Sequence, residues 1–108
     1  MLDIINQYPP DMDKKTAYKL MNSNSTQKMS DYAGSVIQVV AWCIFEDEDR
    51  IVLSIMTDDA EIIATVSATF IGAFEKMVDH FGADEVSAIK VVSGTSKAGR
   101  EFITCDID

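Results

Sequence analysis

The stretch Ser67-Ala68-Thr69-Phe70-Ile71-Gly72-Ala73-Phe74-Glu75-Lys76-Met77-Val78-Asp79-His80-Phe81-Gly82 decides how the rest of the chain is read. Phe70, Ile71, Phe74, Met77, Val78 and Phe81 recur at the spacing that lines one face of an α-helix, and the spacing predicts a helix over 67–81. Ser67 stands where a hydroxyl can accept a bond from the first free N–H groups. Gly82 stands where a helix closes through a conformation that suits glycine. His80, the only histidine, falls in the last turn, where a positive ring suits the carbonyl end of the helix dipole. Its position is thus accounted for structurally, and the aromatic stripe is read as core rather than as a cofactor site.

On the N-terminal side of this helix the period changes to that of strands. Residues 35–45 are rich in Val, Ile and aromatics, with Ile37, Val39, Ala41, Cys43 and Phe45 on one face and Gln38, Val40 and Trp42 on the other. Two largely apolar faces predict one long strand that is central or strongly curved. The acidic turn 46–49, a second strand over 50–56, the turn 57–60 and a third strand over 61–66 follow, joined by connectors short enough for an antiparallel meander. On the C-terminal side, after a polar connector at 83–87, apolar runs near 89–92 and 101–107 flank the flexible segment 93–100, the pattern of a β-hairpin with a long loop.

Three strands, a helix and two strands is the element order of the OB-fold, a small Greek-key barrel. The expected fold class is therefore mainly β with one long helix, an OB-fold-like five-stranded barrel, plus a short N-terminal helix. The same order permits an open α+β sheet with the helix on one face. Ahead of the barrel, residues 1–8 run into Pro9-Pro10 and read as an extended arm over 1–12. Asp11 or Asp13 can cap a short helix over 14–21, with Ala17, Tyr18, Leu20 and Met21 on its apolar edge. The polar run 22–26 is a linker, because too little chain precedes it to form a core. A single domain over 13–108, including the short helix at 13–22, follows the arm.

The 108 residues suffice for one core, and 47% apolar with 25% charged residues is ordinary for a soluble globular protein. No apolar run reaches membrane-spanning length and no basic leader precedes an apolar one, so a cytoplasmic protein without membrane partners is expected. Cys43 and Cys105 form no CxxC pair and, with one histidine, give no zinc-ligand spacing; both are expected to be unpaired small hydrophobes, with no metal and no cofactor. Acid pairs such as Glu46 with Glu48, or Asp58 with Glu61, lie in turns with no neighbour to tune them, so no enzyme is expected.

Nine Lys and Arg stand against eighteen Asp and Glu, a net charge of −9 that argues against an ordinary nucleic-acid binder. Against that background 93–100 holds Lys97 and Arg100 and no acid. A loop of Gly, Ser and two cations can hold a phosphate, although many such loops are simply solvated hairpin tips. On the strand that follows, Arg100, Phe102 and Thr104 alternate onto one face while Ile103, Cys105 and Ile107 form an apolar other face. Phe102 is thus the aromatic expected to be exposed. Trp42 shares its strand face with Gln38 and is a second candidate, although a Trp in an apolar strand is as readily core. Tyr32, Lys28 and Lys90 could extend the patch, each lysine being otherwise an ordinary surface charge.

The segments 26–31 (TQKMSD), 39–43 (VVAWC) with its acidic follow-on, 53–57 (LSIMT) and above all 92–103 (VSGTSKAGREFI) resemble a family of small single-stranded DNA-binding replication proteins of Gram-positive bacteriophages and mobile elements. The likeness spans about residues 16–107. It implies sequence-tolerant binding of single-stranded DNA during phage or mobile-element replication in a bacterial cytoplasm, with replication proteins as further partners and room for a homo-oligomer. The departure is the acidic load, including four consecutive acids at 46–49. A different function class is consistent with that load: an acidic protein-interaction module or DNA mimic, whose carboxylates occupy the nucleic-acid site of a host protein. A binder needs a coherent positive groove; a mimic needs a continuous negative face.

Overall fold

The computed structural model describes residues 3–22 and 27–107, so the expected linker at 22–26 lies, apart from Asn22, outside the described residues. The run expected to be one long strand is two. Val36–Gln38 is β3 and Ala41–Asp47 is β4, and the chain turns a corner between them. At the corner the Val39 N–H donates to Ser87 O at 2.8 Å and the Val40 N–H to Met56 O at 3.0 Å. Consecutive amides thus bind two different sheets. The corner shifts the side-chain phase by one residue, so that Ile37 and Val39 point into the same apolar cluster as Trp42 and Ile44. Ala41, Cys43 and Phe45 are left on the opposite face.

The first sheet has five strands in the order β1-β4-β5-β6-β2. Its centre is the expected meander of β4, β5 (Arg50–Met56) and β6 (Ile62–Thr65), antiparallel throughout. The acidic connector tightens to two residues, Glu48 and Asp49, with φ of 50° and 67°, the left-handed pair that suits the twist of a two-residue hairpin. Within the expected N-terminal arm, Asp3–Tyr8 is β1, pairing antiparallel with β4 on the sheet's edge through a bulge between Ile4 and Asn6. At the other edge the two-residue β2 (Gln27–Lys28) pairs parallel with β6. The second sheet has three strands, β3, β7 (Ala88–Thr95) and β8 (Glu101–Ile107), in that order and antiparallel.

Helix α1 (Lys14–Asn22) starts at Asp13, whose carboxylate accepts from the Thr16 N–H at 2.8 Å. It packs Leu20 against Ala41, Cys43, Phe45 and Ile62 on one face of the five-stranded sheet. Helix α2 (Ala68–Phe81) begins and ends as its sequence dictates. The Ser67 hydroxyl accepts from the Phe70 N–H at 3.2 Å, and Gly82, at φ 91°, donates its N–H to Val78 O at 2.9 Å. Phe70, Ile71, Phe74 and Met77 lie in the cluster shared by the inner faces of both sheets. Phe81, expected on that apolar face, is exposed at the helix end, where the chain leaves through Gly82.

Among the described residues the molecule is therefore mainly β with two α-helices, and its sheets do not close into a barrel. One seam is sealed by the covalent corner between β3 and β4. At the other, β6 and β8 do not pair. Between them runs a groove bordered by Lys28, Met29 and Ser30 on one side and Ile103 on the other. Among the described residues, no helix is long and apolar enough to cross a membrane.

Candidate nucleic-acid interface

The hairpin of β7 and β8 is longer than the sequence suggests. Ser93, Gly94 and Thr95, expected in the loop, are strand residues opposite Ile103, Phe102 and Glu101. The remaining connector, 96–100, is tied internally. Ser96 N–H donates to Arg100 O at 2.8 Å, Gly99 N–H to Ser96 O at 2.9 Å and Arg100 N–H to the Ser96 hydroxyl at 3.2 Å. The loop's backbone is thus partly committed to its own closure. Three amides are consumed in closing the turn, and what the tip presents is the exposed side chains of Lys97 and Arg100.

On β8 the expected alternation is present from Phe102 to Ile107, whereas Arg100, expected on the same strand face, lies in the connector. Cys105 is buried, Ile103 and Ile107 pack against the core, and Phe102 faces outward, 37% exposed. Phe102 does not stand free of the sheet. A Cβ placed on Gly94, its cross-strand partner, would lie 2.6 Å from Phe102 Cζ, 3.0 Å from Cε1 and 3.2 Å from Cε2. Distances so similar mean that the point lies over the face of the ring tip rather than beyond its edge. The ring tip therefore lies over Gly94, and the residue as a whole is part exposed. Along the same outer face come the half-buried Val92 and Thr104, then the exposed row of Val36, Lys90 and Asp106. Helix α2 covers the inner face of this sheet, while Val36, Lys90, Phe102 and Asp106 on the outer face are exposed.

Phe102, Gly94, Ser93, Thr95 and Glu101 also line a groove of about 670 Å³, completed by Ser30, Ala33, Ser67 and Ile103. It continues, through Ser30, Ser67 and Ile103, into the apolar groove of the open seam, about 490 Å³, with Lys28 and the exposed Val66 on its walls. Hydrogen bonding of β7 explains part of its polarity. Val91 donates to Ser35 O and accepts from Gly34 N–H, so the odd-numbered residues of β7 direct their peptide groups toward β3. Because β3 pairs only with Ala88, Ile89 and Lys90, the peptide groups of Ser93 and Thr95 point past its end, toward the side of Ala33.

The remaining expected site residues do not gather here. Trp42 is 1% exposed and its ring meets Phe74 edge-on at 5.2 Å; the phase shift at the β3–β4 corner turns it inward, so it offers no surface to a ligand. Among the described residues its indole N–H has no hydrogen-bond partner. Tyr32 bonds Gln27 through its hydroxyl, and its phenol is pushed above the usual range by partial burial and by the carboxylates of Glu61 and Asp31. That acidic surrounding disfavours a phosphate. Lys28 belongs to the seam groove, away from the outer face. Lys97, Arg100, Phe102 and Lys90 therefore share one hairpin, and Gly94 is the member the sequence did not single out. A glycine inside a β-branched strand was the available signal.

Charge separates along the same line. Residues 88–107 carry three cations, Lys90, Lys97 and Arg100, against Glu101 and Asp106, whereas the rest of the chain carries six against sixteen. The acidic turn of Glu46, Asp47, Glu48 and Asp49 lines neither groove. Among the described residues no group of three His, Cys, Asp or Glu side chains is placed to hold a metal ion. Cys43 and Cys105 are free and buried in two separate apolar clusters, their thiols pushed up to about 11 and about 12 by burial. No protein-family model, no curated protein and no solved structure matches this chain.

Proposed function

We propose that this protein binds single-stranded nucleic acid, DNA in the phage or mobile-element setting that the 92–103 run suggests, along the outer face of the β7–β8 hairpin. The observation that carries the reading is Phe102, an exposed aromatic whose ring tip lies over Gly94 on the one hairpin that has an excess of cations in an otherwise acidic chain. Stacking is sequence-tolerant, because every base has a π-face, and it combines with cations that follow the phosphates. Lys97 and Arg100 at the tip and Lys90 further down would take phosphates on either side of the stacked base. The fold is consistent with an opened relative of the OB barrel: a bent strand shared by two sheets, a meander, a helix between the third and fourth barrel strands, and a closing hairpin. On this reading β2 occupies the seam that a closed barrel would seal.

Anisotropy titration of a fluorescent oligo(dT) at low and moderate salt tests the proposal. Wild type should bind, and binding should weaken with salt as counterions are released. Neutralising Lys97 and Arg100 together should flatten the slope of log K against log salt by roughly 1.4, at about 0.7 per lost phosphate contact on a single strand. No binding at low salt, or a double mutant that binds as wild type does, would remove the hairpin from consideration. The acidic interaction-module reading would then take its place.

A further inference from the structure

We propose that Gly94 positions Phe102 as a one-sided platform for a single unpaired base, and that this is why a glycine interrupts β7. The inference rests on the single-strand reading above and adds to it a residue and a ligand geometry. Elsewhere β7 carries side chains suited to a strand, Ile89, Val91 and Val92 among them, and a glycine there forfeits both packing and backbone order. Gly94 has no left-handed φ to require it; what requires it is the ring, whose Cζ lies 2.6 Å from where a Cβ would be. Real Cβ atoms are not found so close to a neighbour, so any side chain at 94 must tip the ring away from the sheet. Glycine lets the ring settle onto the backbone, with one face against the peptide groups and the other outward.

Two consequences follow for the ligand. A ring with one face covered cannot wedge between two stacked bases, which requires both faces, so the platform suits a base already out of the duplex. A ring seated on the strand also holds its stacking orientation before the ligand arrives, and the ligand need not order it. Gly94 thus acts through Phe102 and touches no base itself.

The experiment is a double-mutant cycle of Gly94→Ala and Phe102→Ala on the full chain. Its probes are a fluorescent oligo(dT) and the same oligomer carrying one 5-iodouracil for photocrosslinking. Losing one base–aromatic stack corresponds to about a 5- to 150-fold loss of affinity. Phe102→Ala should fall in that range, and Gly94→Ala should show a smaller loss of the same kind, about tenfold, with an unchanged salt slope. In the Phe102→Ala background, where Cβ meets no ring, Gly94→Ala should cost nothing further. The crosslink should map to Phe102 in wild type and fade in Gly94→Ala. Thermal melts should show Gly94→Ala folded, and the doubly substituted chain, free of any clash, guards against a folding defect. Wild-type affinity or crosslinking in Gly94→Ala, an equal loss in the Phe102→Ala background, or equal crosslinking of a duplex carrying 5-iodouracil would overturn the inference while leaving single-strand binding intact. If the wild type binds no oligomer at low salt, the parent reading fails and this one with it.

Discussion

Replacing Phe74 by Ala tests whether α2 joins the two sheets. Phe74 is fully buried in the cluster that contains Trp42, Ile44, Leu53 and Ile55 from one sheet and Ile89, Val91 and Cys105 from the other. Truncating a buried Phe costs about 3–5 kcal/mol, the higher values belonging to sites that cannot collapse onto the cavity. Here collapse would have to move two sheets tied at the β3–β4 corner, and Trp42 would lose its edge-on partner, itself worth about 0.5–1.5 kcal/mol. The loss should therefore lie in the upper half of the range, about 4–5 kcal/mol. A domain of this size holds about 5–15 kcal/mol in all, so the variant should be barely stable. Urea unfolding followed by Trp42, the only tryptophan, supplies the assay. With a slope of about 2 kcal/mol per M, the midpoint should fall by about 2 M. Phe74→Leu, which keeps most of the volume, should fall by less than half as much. A midpoint drop under about 0.5 M for Phe74→Ala would mean that the inter-sheet layer does not depend on this ring, and the account of the core would be wrong.

Gly82→Ala should cost about 1–3 kcal/mol in the same assay, because φ 91° with ψ 146° is a region nearly confined to glycine; a neutral result would refute that conformation. Both thiols should resist Ellman's reagent at pH 8 in the native state and react at once in urea, with no mass deficit from a disulfide; immediate native labelling would contradict their burial. Raised thiol pKa values also carry a sign: burial favours the neutral form, so this stabilisation is complete below about pH 9 and is lost as pH rises toward about 11 for Cys43 and about 12 for Cys105. Cys43→Ala and Cys105→Ala should each shallow the alkaline loss of stability between pH 9 and 11, and an unchanged profile in both would argue that other groups control it. Charge reversal in the acidic turn, Glu48→Lys, should leave oligo(dT) affinity at moderate salt within about twofold, since that turn borders neither groove and screening acts over about 8–10 Å; a tenfold gain would place it beside the bound strand.

What the sequence determined by itself is what short windows of chain control. The 3.6 period of Phe70, Ile71, Phe74 and Met77, the Ser67 cap, the Gly82 stop and the Asp13 cap involve residues within a turn or two of one another, and each is present. The meander of β4, β5 and β6 and the inward face of β8 were legible for the same reason: alternation and short connectors act locally. Only the tertiary structure decided where 35–45 bends. The amides of Val39 and Val40 are claimed by Ser87 and Met56, residues remote in sequence, and no pattern inside the run records which partner takes which amide. That corner alone moves Trp42 from candidate ligand face to core and turns one predicted strand into a joint between two sheets. The candidate site divides in the same way. The cations and Phe102 could be read from alternation along one hairpin, whereas the role of Gly94 depends on its cross-strand register with Phe102, because a missing side chain has meaning only through the atom that fills its place.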